Sequence, residues 1–222
     1  MLNRQAASAE YVRQLLSKSP MPRNQVAAIS GLTNTYIRDL EKGIIANVAR
    51  DKLISLSVAL NLDLIETDQM LNIFDRAPLS EEDIPIFLQT SEKGHITSAL
   101  LPVRDRYSLD LMMLSAERIP GRHIVVSSEP TVSLRAEGHR KYSERRLCTM
   151  HPIYGELVEA IGRERMKALE INLACHPTEQ YICPQCLEDY IELCSDPVEK
   201  DWRVKHIENV IGFLLRFPNW HL

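Results

Sequence analysis

The stretch "QVAAISGLTNTYIRDLEKG", Gln25 to Gly43, decides how the N-terminal part of this chain is read. It has good helix formers on both sides of Gly31, and a glycine inside a helix costs about 1 kcal/mol against alanine. Gly31 is therefore expected to end one helix in a left-handed conformation, where a Cβ is poorly tolerated. Val26, Ala27 and Ser30 give the first helix an inward face, and Ala27 is small enough for another helix to come close. Leu32 packs into the turn, and Thr33 caps the next helix. Ile37 and Leu40 seat that helix against the first. Two short helices joined at a glycine corner make a helix-turn-helix.

Working outward, residues 4–17 carry Ala6, Ala7, Tyr11, Val12, Leu15 and Leu16 at three-to-four spacing, which predicts an amphipathic helix. Pro20 and Pro22 break it, and Pro22 suits the opening of a new helix. Short helices follow through "VARDKLISLSVALNLDL" to about Phe74. "DRAPLSEEDIPIFLQTSEKG", residues 75–94, combines prolines, acidic residues and a glycine and reads as a connection holding at most one short helix.

On these residues the chain resembles the Xre (lambda-repressor-like) family of DNA-binding domains. The resemblance rests on Val26-Ala27, Gly31-Leu32-Thr33, Ile37, Leu40 and Glu41-Lys42-Gly43, followed by Leu53, Leu56, Ala59 and Leu60. It implies a helical bundle over residues 1–76, with the helix that begins near Thr33 entering the major groove of duplex DNA. Thr33 at the start of that helix is counted among the DNA-binding residues, and Asn34, Thr35, Tyr36 and Arg38 would then face the bases, where Asn pairs with adenine and Arg with guanine. Arg23, Gln25, Lys42, Asn47 and Arg50 would serve as phosphate contacts that set register. The family often begins the first of these two helices with a polar cap followed by Gln; here Pro22-Arg23 stands in those places. Modules of this size commonly bind two-fold sites, which implies a homodimer.

Composition fits this reading. The chain has 222 residues, long enough for two domains, with 45% hydrophobic and 25% charged residues. Its net charge of −4 is unevenly spread. Residues 1–52 hold eight Lys/Arg against four Asp/Glu (+4), residues 53–100 two against eight (−6), and residues 101–222 sixteen against eighteen (−2). A basic end on an acidic protein suits a polyanionic partner. No apolar run reaches the ~18–20 residues of a membrane span, and "MLNRQAASAEYVRQLLSKSP" lacks a secretory apolar core. A cytoplasmic protein is expected.

Four of the five cysteines fall in "CHPTEQYICPQCLEDYIELC", Cys175 to Cys194. Cys183-Pro184-Gln185-Cys186 places two thiols within reach of one ion, and Cys175 with His176 lies just upstream. These four are the candidate ligands of a zinc site, with Cys148 and His151 as alternative donors and an iron–sulfur cluster as a lesser choice. The same Cys-x-x-Cys pair at a helix start suits thiol redox chemistry, and packing of small buried thiols is the third reading. Cys194 lies about 12 Å along a helix from Cys186 and reads as core.

Elsewhere in residues 95–222, "RHIVVSS" and "TVSLR" flank Glu129-Pro130 as two strands of a small hairpin. The remaining segments read as helices, with the pair Met112-Met113 as core. The basic run "RAEGHRKYSERR", Arg135 to Arg146, reads as a solvated helix face or an anion contact. His95, His123, His139, His206 and His221 are scattered and read as surface or satisfied core. No phosphate loop, nucleophile elbow or zinc-protease motif is present, so no enzyme is expected. The sequence thus predicts a mainly α protein: a DNA-binding domain over 1–76, a connection over 77–94, and a dimerising, metal- or redox-sensing domain over 95–222. The expected function is sequence-specific transcription regulation. A thiol redox protein using Cys183 and Cys186, or a protein–protein adaptor built on the helix-turn-helix, are the alternatives.

Overall fold

The computed structural model describes residues 2–93 and 106–222. Those residues form twelve α-helices and a three-stranded sheet, divided between two compact units. One unit is Met1–Ser115 with His151–Tyr154, and the other is Ala116–Met150 with Gly155–Leu222. The expected boundary at 94/95 and His95 lie outside the described residues. No described helix is long and apolar enough to cross a membrane.

In the first unit, α1 (Leu2–Lys18), α2 (Arg23–Ser30), α3 (Asn34–Glu41), α4 (Arg50–Ala59) and α5 (Leu64–Ile73) follow one another through short turns. Gly31 ends α2 at φ 68°, the left-handed corner its position demands. Thr33 Oγ1 accepts the Tyr36 N–H at 3.1 Å and so caps α3. Val26, Ile37, Leu53, Ile54 and Leu56 are fully buried, and Ala27 is buried where α2 meets α4. Thr33→Ala is expected to lower the stability of this unit by about 1 kcal/mol, and Thr33→Ser to restore it. Urea denaturation of the two variants checks this.

The stretch read as a connection is structured. A 3-10 turn at Glu81–Asp83 leads into α6 (Ile84–Lys93), which packs on α2 and α4. Its Phe87 is fully buried, edge-on to Tyr107 at 5.9 Å. Tyr107 belongs to α7 (Arg106–Glu117) and donates its hydroxyl proton to Leu62 O. The compact unit therefore runs beyond residue 76, because α6 and α7 supply part of its core.

The second unit holds β1 (His123–Ser127), α8 (His139–Ser143), α9 (Arg145–Cys148), β2 (Thr178–Ile182), α11 (Pro184–Glu192), α12 (Pro197–Arg216) and β3 (Trp220–His221). It also holds α10 (Tyr154–Cys175) from Gly155 onward. The sheet order is β1-β2-β3 and every pair is parallel, with Val125 opposite Gln180 and Thr178 opposite Trp220. This corrects the expected hairpin. "TVSLR" does not pair with β1; residues Val132–Leu134 form a 3-10 turn. The Thr131 hydroxyl donates to Gln180 Oε1 at 2.5 Å, and Ser133 Oγ donates to Glu117 at 3.0 Å. These bonds turn the chain inward, so that Leu134 enters a core with Leu169, Leu173, Val210 and Trp220. The partner of β1 arrives only after the helical crossover that a parallel pair requires.

The basic run at Arg135–Arg146 is only partly a solvated face, with Arg145 and Arg146 exposed. Arg140 is buried and pairs with Glu159 at 3.3 Å, while Arg135 pairs with Glu129 at 2.8 Å and Arg145 with Asp196 at 3.2 Å. Lys141 pairs with Glu156. His139 and His206 are fully buried; burial, aided by the charge of Arg135, pulls both down to about 4, so both rings are neutral near pH 7.

Candidate nucleic-acid interface

Ile37 and Leu40 point α3 inward, so at 100° per residue its opposite side presents Thr35, Arg38 and Lys42, with Asn34 at the N-terminal edge. All four are exposed. Asn34, Thr35 and Arg38 line a shallow hollow together with Arg23 and Asn24 from the start of α2. A second hollow beside it is lined by Arg13, Arg23, Arg38, Glu41 and Lys42. Four cations thus stand against one carboxylate on this face.

The carboxylate is already taken, since Glu41 pairs with Arg23 at 2.7 Å. Arg13 pairs with Glu10 at 2.9 Å, but both side chains are about half exposed, so the attraction is weak and easily exchanged. Among the described residues, the side chains of Arg38 and Lys42 have no ion-pair partner. Sequence reasoning missed Arg13 and Asn24. The signal for Arg13 is tertiary: it reaches this face because α1 packs on α3.

Other candidates are placed differently. Tyr36 is half-buried on the flank of α3, with Lys52 Nζ 4.5 Å from its ring centroid. Gln25 is half-buried in the first turn of α2. Thr33 spends its hydroxyl on the cap. Asn47 is exposed, and its Oδ1 accepts from Arg76, whose Nε also donates to Val48 O at 2.9 Å. Arg50 turns away from solvent: Nη1 pairs with Asp83, Nη2 donates to Pro78 O at 2.6 Å, and Nε donates to Ala77 O at 3.2 Å. It is a fastener of the 77–83 segment, not an outward phosphate contact.

The cysteine candidates separate into two groups. Cys183 is the exposed N-cap of α11, and Cys186 is half-buried one turn on. The Cys183 thiol is held below its ordinary range, first by the backbone N–H of Cys186 and then by the Cys186 thiol; the same contact pushes Cys186 up. Cys175 and His176 precede β2, whereas Cys183 follows it, and a five-residue strand spans about 16 Å. Among the described residues no group of three or more His, Cys, Asp or Glu side chains is placed to hold a metal ion. Of the alternative donors, Cys148 faces Lys141 O at 3.7 Å, and His151 Nε2 lies 3.0 Å from Asp68 Oδ2. Cys194 lies beyond the end of α11, its Sγ 3.5 Å from Asp196 O, and is half-buried rather than core. No family model, curated protein or solved structure matches the chain.

Proposed function

We propose that this protein is a sequence-specific regulator that binds duplex DNA through α3, acting as a homodimer in the cytoplasm. The observation that carries the reading is the exposed row Asn34, Thr35, Arg38 and Lys42 on a helix anchored by its apolar side, with Arg38 and Lys42 free of ion pairs among the described residues and Arg13 and Arg23 beside them. The lambda-repressor-like arrangement of α1 to α5, with α2 and α3 as the helix-turn-helix, is part of the proposal. It is supported by the left-handed Gly31 and the Thr33 cap. In this reading Asn34 and Arg38 touch base edges, while Arg13, Arg23 and Lys42 touch phosphates. The dimer follows from the module's size, since one short helix reads too few bases alone. Half-sites about 34–36 Å apart would suit two copies.

The test is selection of duplexes from a random pool by the full-length protein, followed by affinity measurement across salt concentration. The logarithm of the binding constant is expected to fall linearly with the logarithm of salt, with a slope of about −0.9 for each phosphate neutralised. Arg38→Ala is expected to weaken the selected site by about tenfold or more and to relax one base position, whereas Lys42→Ala should weaken all sequences alike and flatten the slope by about one. Failure to enrich any duplex, or binding that ignores salt, would remove the reading. Sedimentation velocity on the free and DNA-bound protein checks the dimer.

A further inference from the structure

We propose that Cys183 and Cys186 form a redox-active dithiol that exchanges with low-molecular-weight disulfides. The inference is independent of DNA binding, for it concerns the second unit alone. The pair is asymmetric in the way such chemistry needs. Cys183 is exposed at the end of β2, while Cys186 sits half-buried behind it in the first turn of α11. Pro184 fixes the backbone at the first helical position and brings no N–H of its own. The polar groups of this first turn, those of Cys186 foremost, hold the Cys183 thiol below its ordinary range. A thiol at an open N-cap position can attack, and a more shielded thiol three residues on, in the first turn of the same helix, can resolve. The chain's other thiols differ: Cys148 and Cys194 are half-buried against backbone carbonyls, and Cys175 lies at the far end of β2.

The Cys183 thiolate attacks one sulfur of the small disulfide, whose S–S bond breaks and whose departing thiolate takes up a proton. A mixed disulfide remains on Cys183. Cys186 then gives up its proton and attacks Cys183 Sγ, forming the internal disulfide and expelling the second small thiolate, which is protonated in turn. Two electrons pass from the dithiol to the small disulfide, which is reduced to two thiols.

The experiment uses the reduced full-length protein with oxidised glutathione as the probe, read by intact mass and peptide mapping, with elemental analysis of never-chelated protein beside it. The expected result is loss of the mass of two hydrogens, mapped to the peptide bearing Cys183 and Cys186 and reversed by dithiothreitol. Cys186→Ser should accumulate one glutathione adduct on Cys183, and Cys183→Ser should lose both the internal disulfide and the preferential adduct. Adducts spread evenly over the five cysteines, or no internal disulfide, would overturn the proposal. So would about one zinc per chain with Cys183 and Cys186 protected from alkylation. Because neither cysteine is buried, a folded variant is expected in each case, and circular dichroism verifies it.

Discussion

Gly162→Ala is expected to destabilise the second unit by about 3 kcal/mol, although helix propensity alone would make the change stabilising by about 1 kcal/mol. Gly162 lies in the interior of α10, an ordinary place for alanine. A Cβ there would stand 2.1 Å from Nε and 2.2 Å from Cζ of Arg140. The guanidinium is not free to retreat. It is buried, its Nη1 lies 3.3 Å from Glu159 Oε2, and its Nη2 donates to Ser133 O at 2.8 Å. Glu159, only 2% exposed, is itself committed through Oε1 to the backbone N–H groups of Gly138 and Lys141 at 3.0 and 3.2 Å. Pushing Arg140 aside therefore leaves a carboxylate buried without its counter-charge, and breaking a buried pair from one side costs about 3–5 kcal/mol. Urea or thermal unfolding measures the single effect, and a cycle with Arg140→Ala isolates its cause. In the Arg140→Ala background the clash has no second party, so Gly162→Ala should become neutral or slightly stabilising. A stabilising Gly162→Ala in the otherwise unchanged protein would mean that Arg140 does not lie across α10.

This pair also shows which features the sequence makes legible. Gly31 and Thr33 could be read in advance because a left-handed corner and a helix cap are local requirements, satisfied within three residues. The closeness of Cys183 and Cys186 was legible for the same reason. Placing Cys175 and His176 beside them was not, since that depends on whether "PTEQYI" folds back or, as here, runs through β2. The hairpin failed on a similar point: the period of "RHIVVSS" identifies a strand but not its partner, and Gln180 wins that place through bonds to Thr131 and Ser127. Composition misled at residues 75–94, where prolines and acids mask Phe87, a fully buried ring. The helix α7 was legible but its phase was not. Leu111 and Leu114 are buried there, while Met112 and Met113 are only half-buried. The α3 face is readable from Ile37 and Leu40, whereas Arg13 joins it only through tertiary packing. Charged residues are the hardest case, because an arginine reads alike in sequence whether it faces solvent or a set of carbonyls.

Arg50 is that case, and Arg50→Ala is expected to destabilise the first unit by about 3 kcal/mol, a fall in melting temperature of about 10 °C. Three separate groups depend on this guanidinium: the Asp83 carboxylate and the carbonyls of Ala77 and Pro78. Asp83 is 4% exposed at its side chain, and its other oxygen accepts the Ser80 N–H at 2.8 Å, which caps the turn into α6. Without Arg50 the charge of Asp83 remains buried and half-satisfied, and the segment that carries Phe87 into the core loses its fastening to α4. Lysine cannot substitute, because one ammonium cannot reach two carbonyls and a carboxylate in the plane that the guanidinium spans. Arg50→Lys should therefore recover less than half of the loss. Asp83→Asn, which removes the buried charge while keeping hydrogen-bonding capacity, should be milder than Arg50→Ala, and adding it to Arg50→Ala should return part of the stability. The same variants separate fastening from DNA contact. Conditions under which Arg50→Ala is still fully folded should leave the salt slope of DNA binding unchanged, since its charge is directed at Asp83, while Arg38→Ala and Lys42→Ala alter binding without moving the melting temperature. An Arg50→Ala protein with unchanged stability and a slope flatter by about one would reverse the assignment and return Arg50 to the phosphate-contacting set.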